Sequence, residues 1–345
     1  NSKDKHVNVQ IIITKKDMKI PNGTIARVSF YGLGGSKSIE LMPPDGSSNN
    51  VGIITEQTIR INDIAKEVKG KSKDIRDTYI TFDKSQKLFK MLNDPEYNVI
   101  FDNKLLFNER FKEFIGRDFI DAAHCSDEEF AKFCKGKEEI FCKPKDSCSG
   151  KGIYKSIKLD DNTDINELHK FMIDNDLFCE DTIKQHKQMS KLNPSSINTI
   201  RITTVLVDGK SYPMYALLRI GTSDANIDNI ASGGIYTVLD DNGRIVYGCW
   251  SDKTLILYKK HPLTNVDLIG FEVPMFKQAI ELCNRAALVE PHIRYVGWDI
   301  AITPDGPIIV EGNQLPGYDM AQNYYATRID HGLLPKFEEV LKTKL

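Results

Sequence analysis

Asp299 and Glu311 flank the turn-forming triplet Pro304-Asp305-Gly306, and Asn313 follows two positions after the second acid. Val296 to Thr303 and Pro307 to Asn313 read as the two arms of a hairpin. A three-residue loop centred on Asp305, with Gly306 free to take positive φ, sets Asp299 directly opposite Glu311. The two-residue period of a strand then puts Asn313 on the same face as Glu311. Directly opposed like charges destabilise a sheet, so a hairpin with only a structural role should avoid this pair. A divalent cation removes the objection. Two carboxylates and an amide oxygen are hard donors, the kind that hold Mg²⁺ together with nucleotide phosphates. The alternative is a solvent-facing acidic pair on an edge strand.

Two further segments point to phosphate and to a base. Phe141 to Ile153 reads as a short strand, a loop of small residues around Ser149-Gly150-Lys151-Gly152, and a second strand. Glycines let backbone N–H groups approach phosphate oxygens, and a lysine at a strand end such as Lys143 can reach the same charge. No Gly-Lys-Ser/Thr opens a helix, so this is no Walker loop, and a hairpin covering phosphates fits better. An ordinary Ser/Gly turn is the plain alternative. Leu177 to Ile183 reads as a strand running out into a connector, a backbone edge of the kind an adenine can pair with, or an ordinary link between lobes.

In this order, these residues resemble the ATP-grasp superfamily, and within it the sugar-transfer-associated branch related to α-glutamate ligases. The resemblance runs from about Asp102 to the C-terminus. Ser196-Ile197-Asn198-Thr199-Ile200-Arg201 carries it, as do Gly297-Trp298-Asp299 and Glu311-Gly312-Asn313-Gln314-Leu315-Pro316-Gly317. It implies an α+β fold of two lobes gripping a nucleotide, with residues 101–183 as one lobe and 184–345 as the metal-bearing lobe. Residues 1–100 then form an atypical N-terminal part, β-rich and later helical, unlike the usual Rossmann-type pre-domain.

Carried over position by position, the resemblance implies that Lys104 and Lys143 contact the nucleotide phosphates. Ser149, Gly150 and Gly152 belong to the covering loop, and Glu180 and Ile183 sit at the hinge that reads the adenine edge. Asn198 or Thr199 takes the place where many relatives use an acid on the ribose, and strand alternation with Arg201 favours Thr199. Arg201, Arg219, Asn229, Gly233 and Gly234 are the implied catalytic set around the transferred phosphoryl group and its acceptor. Asp299 and Glu311 hold one Mg²⁺, and Glu311 and Asn313 the second, with Mn²⁺ as a substitute. His186 and His292 are possible phosphoryl carriers, although isolated histidines more often serve structure.

The implied reaction is ATP-dependent carboxylate activation: an acyl phosphate and ADP form, and an amine, or a related nucleophile, displaces phosphate. The substrates are then a small-molecule carboxylate and an amine such as an amino acid, peptide or amino sugar. One rival is a small-molecule kinase on the same fold. The other is a non-catalytic nucleotide-binding module, against which the complete Asp299, Glu311 and Asn313 set speaks.

The elements that must position these groups are legible in outline. Val7 to Thr14, Thr24 to Tyr31 and Ser38 to Leu41 are strand candidates, and Gly32 to Ser36 reads as a turn between strands rather than a phosphate loop, because Pro43-Pro44 follows in place of a helix. Phe107, Phe111, Phe114 and Ile115 fall at helical spacing with Asp102 as the expected cap, and Ser126 to Glu129 is a capping box. Asp208-Gly209 and Asn242-Gly243 each mark a hairpin, and Phe276 to Cys283 an amphipathic helix.

The 345 residues suffice for two or three packed units, at 41% hydrophobic content. With 46 basic against 48 acidic residues the net charge is −2, so no nucleic-acid footprint is expected, and the short basic run from Lys69 to Lys73 reads as solvated. Seven cysteines with no CxxC pair predict reduced thiols rather than zinc or disulfides. No apolar run is long enough for a membrane span and no signal-peptide pattern opens the chain, so the expected location is cytoplasmic.

Overall fold

A computed structural model describes residues 25–31, 36–42, 53–55, 75, 77–145, 155–222 and 233–345. The chain divides into two compact units, Asn1–Ser72 and Lys73–Leu345. In the first, β1 (Ile25–Tyr31), β2 (Ser36–Met42) and β3 (Ile53–Thr55) form an antiparallel sheet in that order. Tyr31 lies opposite Ser36, and the expected turn at Gly32 to Gly35 lies outside the described residues. The expected strand at Val7 to Thr14 and the basic run at Lys69 to Lys73 lie outside the described residues.

The second unit carries two antiparallel sheets. The smaller is β4 (Phe119–Ile120), β5 (Glu139–Pro144), β6 (Lys155–Lys158) and β7 (Leu177–Asp181), in the order β4-β7-β5-β6. The helices Asp127–Cys134 and Ile165–Asp174 pack on it through Phe130, Cys134 and Met172. The first of these opens with the expected capping box, in which Ser126 Oγ accepts from the Glu129 amide and the Glu129 carboxylate accepts from the Ser126 amide.

The larger sheet runs β12-β11-β10-β9-β8-β13-β14. Its strands are β8 (Ile200–Val207), β9 (Lys210–Ile220), β10 (Ile235–Val238), β11 (Cys249–Ser251), β12 (Ile256–Tyr258), β13 (Tyr295–Thr303) and β14 (Gly306–Asn313). One face packs on the helix Phe276–Ala286 and on Phe101, Phe107 and Phe111, with Trp298 buried among them. The opposite face packs on the helices Phe82–Leu92 and Leu334–Leu341 through Leu88, Leu92, Tyr295 and Phe337. Phe82–Leu92 therefore belongs to this core, ahead of residue 100, where the sequence suggests that the N-terminal part ends.

Asp208 and Gly209 both take positive φ, 50° and 73°, the two left-handed positions that a two-residue hairpin turn needs between Val207 and Lys210. The second expected hairpin differs. β10 meets β11 at Tyr236↔Trp250 and an isolated bridge joins Leu239 to Ile245, but Val246 to Gly248 is not strand. Around Gly243 the backbone turns back on Asp240, whose amide donates to the Arg244 carbonyl at 3.1 Å, and the Ile245 amide donates to the Phe271 carbonyl at 3.0 Å, so the second arm also pairs with a distant loop. The aromatic helix differs too. It runs as Lys104–Arg110 and Lys112–Ile115, and Asn103 rather than Asp102 caps it by accepting from the amides of Leu105 and Leu106. Asp102 instead accepts from Gln314 Nε2 at 2.7 Å.

Candidate active site

Asp299 does lie opposite Glu311, by a route other than the expected one. The turn is two residues, Pro304-Asp305, closed by Thr303↔Gly306, with Gly306 at φ 144°. That register alone would set Asp299 against Val310. Ile300 pairs with Ile309 and Asp299 with Glu311, so Val310 is an extra residue, a β-bulge. Because strand side chains alternate, the one-residue insertion turns Glu311 onto the face of Asp299. Asn313, opposite Gly297, shares that face, and Gly312 shows its bare Cα to the other. A Cβ at Gly312 would stand 2.6 Å from Phe107 Cε2, so the aromatic core demands glycine there.

Asp299 is 2% exposed and is gripped by two arginines, one from the adjacent β8 and one from β9 beyond it. Arg201 lies directly across β8 from it and makes a two-pronged contact, Nε to Oδ1 and Nη2 to Oδ2, the latter at 2.7 Å. Arg219 on β9 donates from Nη1 to Oδ2 at 2.9 Å. Gly297 makes room for this, since a Cβ there would fall 2.9 Å from both Arg201 Cδ and Pro316 Cβ. Burial works to raise the Asp299 carboxyl, but Arg201 and then Arg219 hold it well below the ordinary range. Glu311 shows the opposite: burial first, then the charge of Asp299, pushes its carboxyl up, and the two arginines only partly counter this. Even with two guanidinium groups present, Glu311 remains short of positive charge.

A second buried cluster joins β5 to β7. Lys143 Nζ donates to Glu180 Oε1 at 2.6 Å, and Asn108 Nδ2 donates to Oε2 at 3.2 Å. Arg117 Nε lies 3.0 Å from Glu180 Oε2. Burial opposes ionisation of Glu180, yet Arg117 and Lys143 hold its carboxyl down to about 2. Lys143 is lowered by burial that Glu180 only partly offsets, and Glu311 is among the charges that favour its protonated form. The lysine–glutamate pair is therefore an arrangement fixed by geometry more than a large net source of stability.

The structure thus brings together Asp299, Glu311, Arg201 and Arg219, with Asn313 beside them, and separately pairs Lys143 with Glu180. Lys104 begins the helix Lys104–Arg110, its amide donating to the Lys145 carbonyl at the end of β5. Ile183 follows β7, half-buried. Thr199 is buried next to β8, its carbonyl accepting from the Arg219 amide. Asn198 is fully buried, and its Nδ2 is occupied by Gln185 Oε1 and the carbonyls of Met189 and Asn193. Gly233, at φ 109°, offers its carbonyl to Thr222 Oγ1, and the buried Gly234 leads into β10. Ser149, Gly150, Gly152 and Asn229 lie outside the described residues.

His186 caps a short helix, accepting from the Gln188 amide, and His292 stacks on Tyr97 and pairs with Glu290 at 2.7 Å. Both histidines have structural employment. The described cysteines are free thiols. Sequence reasoning missed Arg117 and Asn108, because their partners are distant in the chain and neither sits in a periodic or motif-like pattern.

The sugar-transfer associated ATP-grasp family model matches residues 83–337, and the chain belongs to that family. No curated protein sequence matches the chain. Among solved structures it is similar to the ATP-grasp ligase PsnB complexed with minimal precursor, at 12% identity over 73% of this chain and 63% of that one, with TM-score 0.41. A PsnB complex with minimal precursor, Mg and ADP gives 12% identity, 92% and 84% coverage, and TM-score 0.39. D-alanine–D-alanine ligase from Bacillus anthracis complexed with ATP gives 17%, 71%, 62% and 0.36. The chain spans less than two thirds of the length of the first and third of these structures. The family match makes the fold ATP-grasp, here with mixed helices and antiparallel sheets.

Proposed function

We propose that the protein is an ADP-forming, ATP-dependent ligase that joins a small-molecule carboxylate to an amine or related nucleophile through an acyl phosphate. The observation that carries this reading is the bulged carboxylate pair, Asp299 and Glu311, with Arg219 held against it at 2.9 Å.

The donor set fits Mg²⁺. Glu311 faces Asp299, its burial and the charge of Asp299 only partly offset by Arg201 and Arg219, and Asn313 adds an amide oxygen on the same face. Two carboxylates and one amide oxygen would leave the rest of the ion's shell to phosphate oxygens and water. Asp299, Glu311 and Asn313 would hold it. When bound, Mg²⁺ neutralises charge on the β- and γ-phosphate oxygens.

The protein's own residues would then act by position and charge. Lys143 and Lys104 bind the phosphates, and Glu180 holds Lys143 in place. A substrate carboxylate oxygen attacks the γ-phosphorus, the bond to the β,γ-bridging oxygen breaks, and ADP leaves with the electron pair. Arg219 supports the transferring group, its planar fork matching phosphoryl or carboxylate oxygens with two parallel hydrogen bonds. The nucleophile then attacks the acyl carbon, loses its proton, and inorganic phosphate departs. No side chain need become covalently bound, and positioning and electrostatics do the catalysis.

The test is ADP release across a matrix of carboxylic acids and amines at saturating Mg²⁺. The proposal expects release that requires both members of one pair, with equal ADP and amide. ADP formation that needs a single hydroxyl compound, recovered phosphorylated, would establish the kinase instead. Nucleotide binding without turnover on any acceptor would favour a binding module. Among the described residues no helix is long and apolar enough to cross a membrane.

A further inference from the structure

The bulge at Val310 is what turns Glu311 toward Asp299, so whatever holds the bulge controls the site. β14 is the outermost strand of its sheet, and an edge strand has one row of backbone groups without a ladder partner. A bulge on that edge adds a carbonyl that no neighbouring strand can satisfy. Arg117 satisfies it. Its Nη1 donates to the Ile309 carbonyl at 2.8 Å and to the Ile115 carbonyl at 3.0 Å, and its Nη2 donates to the Val310 carbonyl at 3.0 Å.

The same guanidinium reaches the other cluster, with Nε 3.0 Å from Glu180 Oε2, and its side chain is 3% exposed. One planar group thus touches both the carboxylate that seats Lys143 and the two carbonyls preceding Glu311. Its approach is fixed by the residue before it. Gly116 takes φ 57°, and a Cβ there would lie 2.5 Å from Ile308 Cγ2, so the Gly116-Arg117 corner is seated directly on β14. On the far side, Phe119 in β4 pairs with Glu180 in β7, which ties the corner to the smaller sheet.

We infer that Arg117 is a positioning residue that sets the Val310 bulge, and through it Glu311, in register with the Lys143–Glu180 pair. It touches neither substrate nor metal and acts only through those neighbours. The inference rests on the proposed nucleotide and metal roles of these clusters. Lysine cannot replace arginine here. A single ammonium can remain near Glu180, but it lacks the fork that reaches Glu180 and both bulge carbonyls together.

Arg117→Ala would leave Glu180 buried beside fewer cations and could fail to fold, so Arg117→Lys is the deciding variant. The measurement is calorimetric titration of the full chain with the non-hydrolysable ATP analogue AMP-PNP, first without metal and then across a Mg²⁺ series, with thermal melting as the check on folding. The expected result for folded Arg117→Lys is metal-free analogue affinity within about threefold of wild type, and a Mg²⁺ requirement raised by tenfold or more. A variant that melts earlier but keeps the wild-type Mg²⁺ requirement makes Arg117 merely structural and overturns the inference. Equal losses with and without Mg²⁺ overturn it too, because the effect would then belong to Glu180 alone. A wild-type protein that binds no AMP-PNP at any Mg²⁺ concentration refutes the nucleotide reading itself, a failure visible before any variant is made.

Discussion

At the scale of single residues, two facing carboxyls shift in opposite directions at the proposed site. Asp299 is held ionised by Arg201 and Arg219, whereas Glu311 is pushed toward its neutral form by burial and by Asp299. Arg219→Lys keeps a charge near Asp299 but loses the fork. Turnover should fall by roughly tenfold to a thousandfold, the scale of losing one transition-state donor, while calorimetric ATP binding stays close to wild type. Glu180 makes a different prediction. Its carboxyl lies at about 2 against an ordinary 4.5, so ionised Glu180 stabilises the fold above about pH 4.5, and that contribution drains away as pH falls toward 2. Glu180→Gln strands Arg117 and Lys143 as buried cations and should cost about 3–5 kcal/mol in denaturant unfolding at neutral pH. The difference from wild type should shrink in acid; a constant difference from pH 7 to pH 3 would show that the charge is not what matters.

At the scale of elements, the hairpin β13–β14 is a lesson in how a right pairing can follow from a wrong turn. Asp299 opposite Glu311 was legible from the glycine and the carboxylates, but the three-residue loop behind that reading is a two-residue turn. The bulge at Val310 adds back the residue that the shorter turn removes, so the two departures cancel at the acids. Gly312→Ala tests the other face, where the new methyl would press on Phe107 and Phe101. A loss of about 1–3 kcal/mol is expected from overpacking, read by denaturant melting, and an unchanged midpoint would contradict the tight fit. Signals that act over three or four residues, such as the Ser126 capping box and the Asp208-Gly209 turn, were legible because their partners lie close in sequence. Arg117 was not, since it binds carbonyls 192 and 193 residues away. The Asn242-Gly243 turn forms, with Leu239 bridged to Ile245, but its second arm is irregular because the Ile245 amide donates to the distant Phe271 carbonyl.

At the scale of the whole molecule, the matched family spans residues 83–337, and the helix Phe82–Leu92 packs with the larger sheet through Leu88 and Leu92. The ATP-grasp fold was legible because its motifs are short runs in a fixed order, from Lys143 through Arg201 to the β13–β14 hairpin. The central claim is that these residues activate a carboxylate with ATP. The measurement that tests it most directly is interception with hydroxylamine: ATP, Mg²⁺ and candidate carboxylic acids are supplied without amine, and hydroxamate is measured beside ADP. The account predicts hydroxamate and ADP in equal amounts with one class of acid, and loss of both in Glu311→Gln, with the melting curve showing that the variant is folded. Hydroxamate formed undiminished by Glu311→Gln, or ADP formed only with a hydroxyl compound that emerges phosphorylated, would contradict it.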